Sequence, residues 1–294
     1  MVSQFWDKFT NVSWLSQNCC LSPVRKLVGL SAFKIRRRLR GGGLMVVDAE
    51  ELFRSILSDL GHTAKNSIGA YTDELLNHTI LKEHWEAQAK EKSFTKFRDW
   101  EHRIQYSNGN VAIYYALVRE LKPDVIVETG TATGSMTSFL LAAINANEKG
   151  RVISIDIPPK AGELTMDQSL DLSEIGYWIP DALKIKWEYK IGDAKILLPR
   201  VLAEEKVDMF VHDSLHTCSH MAFEYAVARA LMRHGSIIAS DDVLWNNAFD
   251  DFLATHKLTG YAPFSNPNIA VVANLFNQYE QDIGTNVVSF NTDH

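Results

Sequence analysis

From residue 124 onward the chain alternates short β-branched runs with amphipathic helical stretches, and each of five such runs stops at a carboxylate. The runs are DVIVETG with Glu128, RVISIDIP with Asp156, IKWEYKIGDA with Asp193, VDMFVHDS with Asp213 and SIIASDD with the Asp241–Asp242 pair. Strands that alternate with helices imply a doubly wound, mostly parallel α/β sheet. In such sheets ligands bind beyond the carboxyl ends of the strands. An acid at the end of a buried strand is costly unless something there uses it. Five acid-bearing strand ends on one rim mark that rim as the site.

The rest of the chain narrows the class. A length of 294 residues suits one large α/β domain with extensions, or two small domains. Hydrophobic content of 46% and charged content of 22% are those of a soluble globular chain. There is no run of eighteen apolar residues, so no membrane span is expected. The N-terminus lacks the charged, apolar and small-residue succession of a secretory leader, which makes a reducing cytoplasm the expected location. Three cysteines, with Cys19 and Cys20 adjacent, form neither a disulfide framework nor a zinc spacing.

Charge is uneven. The net charge is −6, but residues 1–40 carry eight Lys/Arg against one Asp, or +7, which leaves −13 on the remainder. KLVGLSAFKIRRRLRGGG (26–43) is basic and ends in a triple glycine. A solvated arm or a packing helix before a flexible break is the plain reading of it, with contact to an anionic membrane surface or a nucleic acid as the alternative. The acidic remainder argues against a nucleic-acid partner. The expected organisation is a basic arm (1–43), a helical extension (44–104) and a main domain (105–294). In the extension, DAEELFRSILSDLG opens on an N-cap aspartate and stops at Gly61. Trp85 and Trp100 are expected to pack onto the main domain. A homo-oligomer is one option the sequence leaves open.

The first rim segment, ETGTATGS, has Gly130 and Gly134 but Ala132 between them, so no G-x-G-x-x-G can be drawn. No lysine follows Gly134, which excludes a Walker loop. Glu128 beside the loop repels phosphate and attracts a cation. S-adenosylmethionine (SAM), with its sulfonium and ammonium, fits. Asp156 is placed to accept both ribose hydroxyls. Asp193 either accepts from the adenine amino group or simply caps the helix beginning at Ala194. Three carboxylates at adjacent strand ends, Asp213, Asp241 and Asp242, repel one another unless a cation or protons compensate. An all-oxygen set suits a hard ion such as magnesium.

Together, NGNVAIYYALVRELKPDVIVETGTATGS, VISIDIP, YKIGDA, VDMFVHDSLHT and GSIIASDDVLW resemble the SAM-dependent methyltransferases with a Rossmann-like fold, over roughly residues 105–275. Within these the chain is similar to the metal-dependent O-methyltransferases of the macrocin and catechol types. The resemblance implies a seven-stranded sheet and transfer of a methyl group to a hydroxyl of a small molecule, a sugar or natural product. It implies that Glu128, Gly130, Thr131, Gly134 and Ser135 hold the methionine part of SAM. Asp156 would hold the ribose, and Asp193 with Ala194 the adenine edge. Asp213, Asp241 and Asp242 would hold Mg2+ or another divalent cation, and His216, three residues after Asp213, would be the base. The double acid leans toward the sugar type. Asn246 or Asn247 are alternatives to Asp242 as the third ligand.

Other readings stay open at this stage. One is a metal-independent methyltransferase that relies on His216 alone. Rivals from other classes are a nicotinamide-binding oxidoreductase and a non-catalytic binding module. His212 precedes Asp213 on a strand and should face away from it, into packing. Trp245 either lines an acceptor pocket or covers the sheet. Residues 158–183 form a long connection of the kind often used as a lid, with Tyr177 and Trp178 as apolar anchors.

Overall fold

The computed structural model describes residues 42–91, 100–106, 110–157, 164–165, 168–169 and 174–276. The basic arm, through residue 41, lies outside them. Eight strands form one sheet: β1 (Gly43–Val47), β2 (Val125–Thr129), β3 (Arg151–Asp156), β6 (Trp187–Ile191), β7 (Met209–His212), β8 (Ser236–Ser240), β9 (Thr259–Pro263) and β10 (Ala270–Asn274). β4 (Leu164–Thr165) and β5 (Gln168–Ser169) pair as a separate small hairpin. The main order is β1-β9-β10-β8-β7-β2-β3-β6. β10 runs antiparallel to β8 and β9, and the other pairings are parallel.

The expected seven strands become eight because GLMVV, at the junction of arm and extension, pairs with β9 as an edge strand. Five apolar residues ahead of a helix have no period that would separate a strand from a helix start. Nine helices accompany the strands in the described residues: α1 (Ala49–Asp59), α2 (Ile68–Leu76), α3 (Thr79–Glu91), α4 (Trp100–Tyr106), α5 (Asn110–Leu121), α6 (Ser135–Ala146), α7 (Ala194–Glu204), α8 (Cys218–Leu231) and α9 (Ala248–His256). No helix among the described residues is long and apolar enough to cross a membrane.

The central strands read as unbroken apolar runs because both of their faces are covered. Ile126, Val152, Met209, Val211 and Ile237 face a core shared with residues of α1 through α6. Their alternates Val127, Ile153, Phe210 and Ile238 face α7, α8 and α9. The N-terminal helices are thus continuous with the main core. Trp85 and Trp100 are buried as expected and lie 5.5 and 6.0 Å from the Phe139 ring. Trp85 also stacks on Trp178 at 3.9 Å and donates to Ser138 Oγ at 3.3 Å.

Strand order fixes the site. From β2 the chain steps outward to β3 and β6, then returns to β7 and β8 on the other flank. The order reverses at β2, and the crevice at its carboxyl end is where this topology places a ligand. Glu128 is the penultimate residue of that strand.

Candidate functional site

The turn from β2 into α6 brings backbone close to backbone. Gly130 has φ +81°, and a Cβ there would lie 2.0 Å from the Asp213 carbonyl oxygen, which only glycine avoids. Gly134, φ +77°, is the N-cap of α6 and lies against Gly176, where a Cβ would meet the Cα at 2.7 Å. Gly176 N–H donates to the Ala132 carbonyl at 3.1 Å and Trp178 N–H to that of Thr133 at 3.1 Å. Residues 176–178 therefore clamp the loop by backbone hydrogen bonds; much of the connection 158–183 expected to act as a lid lies outside the described residues. Gly130→Ala is expected to push the Asp213 peptide aside. It should destabilise by about 2 kcal/mol or more in urea denaturation, with S-adenosylhomocysteine (SAH) affinity falling at the same time.

Glu128 is 1% exposed and shares a face with Ser154 across the β2–β3 pairing. Its Oε2 accepts from Thr137 Oγ1 at 2.6 Å and Ser154 Oγ at 2.9 Å. Burial raises its pKa, the two hydroxyls oppose this, and Asp156 adds to the rise, leaving it near 7. Asp156 Oδ2 accepts the N–H groups of Thr131 and Ala132, each at 2.9 Å, so this acid shapes the loop with one oxygen. Thr131 Oγ1 and Tyr189 Oη are buried near these acids with no partner among the described residues. Ser135 opens α6 and accepts from the Arg103 guanidinium, which lies 4.9 Å over the Trp85 ring. Asp193 caps α7, accepting from Lys195 N–H at 2.8 Å, and Ala194 is the first residue of that helix. Of its two readings, the cap is the one the geometry displays.

Asp213, Asp241 and Asp242 follow β7 and β8 directly and sit on neighbouring rims. Desolvation raises the Asp213 pKa well above the usual carboxylate range, and Asp241, Glu128, Asp242 and Asp156 raise it further. Its side chain retains 37% of its surface, so the crowd of carboxylates carries more weight than burial. Asp241 is raised by burial and by Asp242. Asp242 takes a left-handed φ of +52°, is 8% exposed and accepts from Asn268 Nδ2.

His216 Nε2 lies 3.8 Å from both Asp213 Oδ1 and Asp242 Oδ2, buried and without a hydrogen-bond partner among the described residues. Burial and the nearby His212 lower its pKa to about 4, so it is neutral at pH 7. Asn246 is committed elsewhere: its amide donates to the His216 carbonyl and its oxygen accepts from Ala248 N–H. Asn247 is the N-cap residue of α9. Among the described residues no three His, Cys, Asp or Glu side chains stand as a ready metal cage. The donors still suit a hard cation by chemistry: adjacent acids that raise one another's pKa, beside an orphaned imidazole nitrogen.

Behind the rim lies a buried polar cluster. Glu224 of α8 is 0% exposed and accepts from His212 Nδ1 at 2.5 Å, Thr129 Oγ1 at 2.7 Å, His220 Nε2 at 2.9 Å and Ser214 Oγ at 2.9 Å. Burial would raise its pKa, but hydrogen bonds from His212 and His220 overcome this and hold it near 2. His212 is buried, as expected, but its ring reaches Glu224 and lies 5.2 Å from that of His216 rather than packing only on apolar neighbours. Glu224→Ala strips four donors of their acceptor and should destabilise by about 3–5 kcal/mol by thermal denaturation.

Sequence reading missed Glu224, Asn268, Arg103 and Tyr114. Tyr114 on α5 is buried, its hydroxyl has no partner among the described residues, and burial with Asp241 and Asp213 raises its pKa. The pattern NVAIYYALVREL makes Tyr114 an ordinary core residue of a helix, and helix periodicity carries no information on what its tip meets. A cavity of about 380 Å³ at the opposite edge of the sheet is lined by Lys149, Asp124, Asp208 and Arg233 among others, whose charges pair with one another. It is remote from the acids.

Residues 127–243 match a family described as a methyltransferase domain. Solved structures with similar folds include an SAH-bound methyltransferase from Podospora anserina, with 14% identity, 66% of this chain and 87% of that chain covered, and TM-score 0.45. An O-methyltransferase from Bacillus cereus in complex with SAH has 18% identity, coverage of 66% and 90%, and TM-score 0.43. A methyltransferase from Geobacter sulfurreducens has 18% identity, coverage of 71% and 96%, and TM-score 0.46. No curated protein sequence matches the chain. The matched stretch runs from within β2 to just past the acid pair after β8, so the carboxyl-end rim of the sheet lies inside a methyltransferase-like domain.

Proposed function

We propose that the protein methylates a hydroxyl of a small molecule, a sugar or natural product, assisted by a divalent cation at Asp213, Asp241 and Asp242. The observation that carries this reading is His216 Nε2, buried and unpaired between two carboxylates at 3.8 Å. A neutral imidazole there has its lone pair ready for a hydroxyl proton. Bound SAM supplies the electrophilic methyl on its sulfonium. Glu128 and the loop amides orient the methionine end, Asp156 offers its free oxygen Oδ1 to the ribose, and the Asp193–Ala194 corner borders the adenine. Mg2+ would be held by the three aspartates, with Asn268 fixing Asp242. A bound cation lowers the pKa of a hydroxyl beside it and makes the work of a weak base such as His216 easier.

The second reading keeps His216 as the base and omits the cation, resting on the buried, neutral imidazole alone. One experiment separates them: methyl transfer to a panel of hydroxylated sugars and phenols, with SAH binding followed by calorimetry. Activity that needs Mg2+ and is abolished by EDTA supports the first reading. EDTA-resistant transfer supports the second, and SAH binding with no transfer to any hydroxyl defeats both.

A further inference from the structure

Tyr114 is 2% exposed, and its hydroxyl is buried with no hydrogen-bond partner among the described residues. An unpaired buried hydroxyl costs free energy that phenylalanine in the same space would not. The next residue is supplied: the Tyr115 hydroxyl donates to Glu74 Oε1 at 2.6 Å. The orphan is local to Tyr114, and its place in the fold indicates what it meets.

α5 leads into β2 through Lys122–Asp124, so the helix runs back along the strand and its first turns lie at the carboxyl rim. Helical side chains tilt toward the helix amino terminus, which carries the Tyr114 ring further that way. Tyr114 packs in the core that contains Val211 of β7 and Ala239 of β8, which pair in the register of the sheet. The sheet bonding continues past each strand. Asp213 N–H donates to the Thr129 carbonyl and Asp241 N–H to that of His212, each at 2.9 Å. Two positions after Val211 and Ala239, Asp213 and Asp241 therefore leave the sheet on the Tyr114 side. Burial, then Asp241, Asp213 and Tyr225, push the Tyr114 pKa well above the usual phenol range. The hydroxyl stays protonated and is a neutral hydrogen-bonding group beside the acids, not an anionic ligand.

We propose that Tyr114 is a positioning residue for a divalent cation held by Asp213, Asp241 and Asp242, its hydroxyl being the hydrogen-bond partner of that set when the ion is bound. This rests on the cation reading given above. A hydrogen bond that fixes a ligating carboxylate commonly carries about 10- to 100-fold of metal affinity.

The test is calorimetric titration of the full chain with Mn2+ alone, in the wild type, Tyr114→Phe and Tyr115→Phe, with SAH affinity and metal-free thermal denaturation read in parallel. Tyr114→Phe should bind Mn2+ about tenfold more weakly and keep its SAH affinity. Without metal it should melt no lower than the wild type, since it loses only an unpaired hydroxyl. Tyr115→Phe should melt lower and bind Mn2+ as the wild type does. Equal Mn2+ affinity in the wild type and Tyr114→Phe would overturn the role of Tyr114 and leave the cation reading standing. So would Tyr115→Phe weakening Mn2+ to the same degree, or Tyr114→Phe melting lower without metal, because either makes the effect one of packing. A wild type that binds no Mn2+ would remove the cation reading and this proposal with it.

Discussion

Asp213→Asn should lower methyl transfer by roughly 100- to 10,000-fold and leave SAH affinity within about threefold. On the proposed reading the carboxylate belongs to the acceptor side of the rim: it faces His216 at 3.8 Å, while the 130–135 loop approaches its backbone, at Gly130. The substitution keeps volume and removes charge from a crowd in which four other acids raise the Asp213 pKa. Folding stability should therefore hold or rise. The wild type should be stimulated by Mg2+, and the variant should respond little to Mg2+ or EDTA. A variant that folds, binds SAH and turns over at the wild-type rate would remove Asp213 from the reaction. A variant still fully activated by Mg2+ would move the cation elsewhere.

How far the sequence discloses this molecule depends on the length scale of each feature. β2, β7 and β8 are legible because each is an apolar run followed by a helix, β6 because a helix follows it, and β3 by its β-branched run alone; their carboxyl-terminal acids carry the position of the rim with them. β1 is not legible, since its five residues acquire meaning only by pairing with Thr259–Pro263, more than two hundred positions away. β9 and β10 lack a helix between them and so lack the alternating rhythm.

At the site, Asp213, Asp241, Asp242 and His216 announce themselves by spacing along single strands. Their supports do not. Glu224 appears as one more polar residue of a helix, and its burial under His212, His220, Thr129 and Ser214 is a product of packing α8 on the sheet. Asn268 reaches Asp242 from a hairpin 26 residues later. Asp193 marks the limit of motif reading in the other direction: the same residue type serves a helix cap and a ligand, and here the cap is what its side chain makes.

Glu128→Gln should stabilise the ligand-free protein at pH 8 and weaken its hold on SAM. The carboxyl titrates near 7 in the fold against 4.5 unperturbed, with burial as the main cause. The folded state therefore keeps its proton to higher pH than the unfolded chain does. Stability falls as pH rises between about 4.5 and 7 and is flat above, a loss of about 3 kcal/mol from this group. Glutamine does not titrate and still offers an oxygen to Thr137 and Ser154. The variant should match the wild type at pH 4.5, gain over it through neutral pH, and exceed it by about 3 kcal/mol at pH 8 in urea denaturation. SAM affinity should drop roughly tenfold or more at pH 8, because the ligand's positive groups lose the buried anion they face. Binding to the wild type near pH 7 should release a proton, visible as a dependence of calorimetric heat on buffer ionisation enthalpy, and the variant should release none from this position. A variant less stable than the wild type at pH 8, with SAM affinity intact, would mean that the Glu128 charge is held by the protein for its own packing and that no cation is drawn to it.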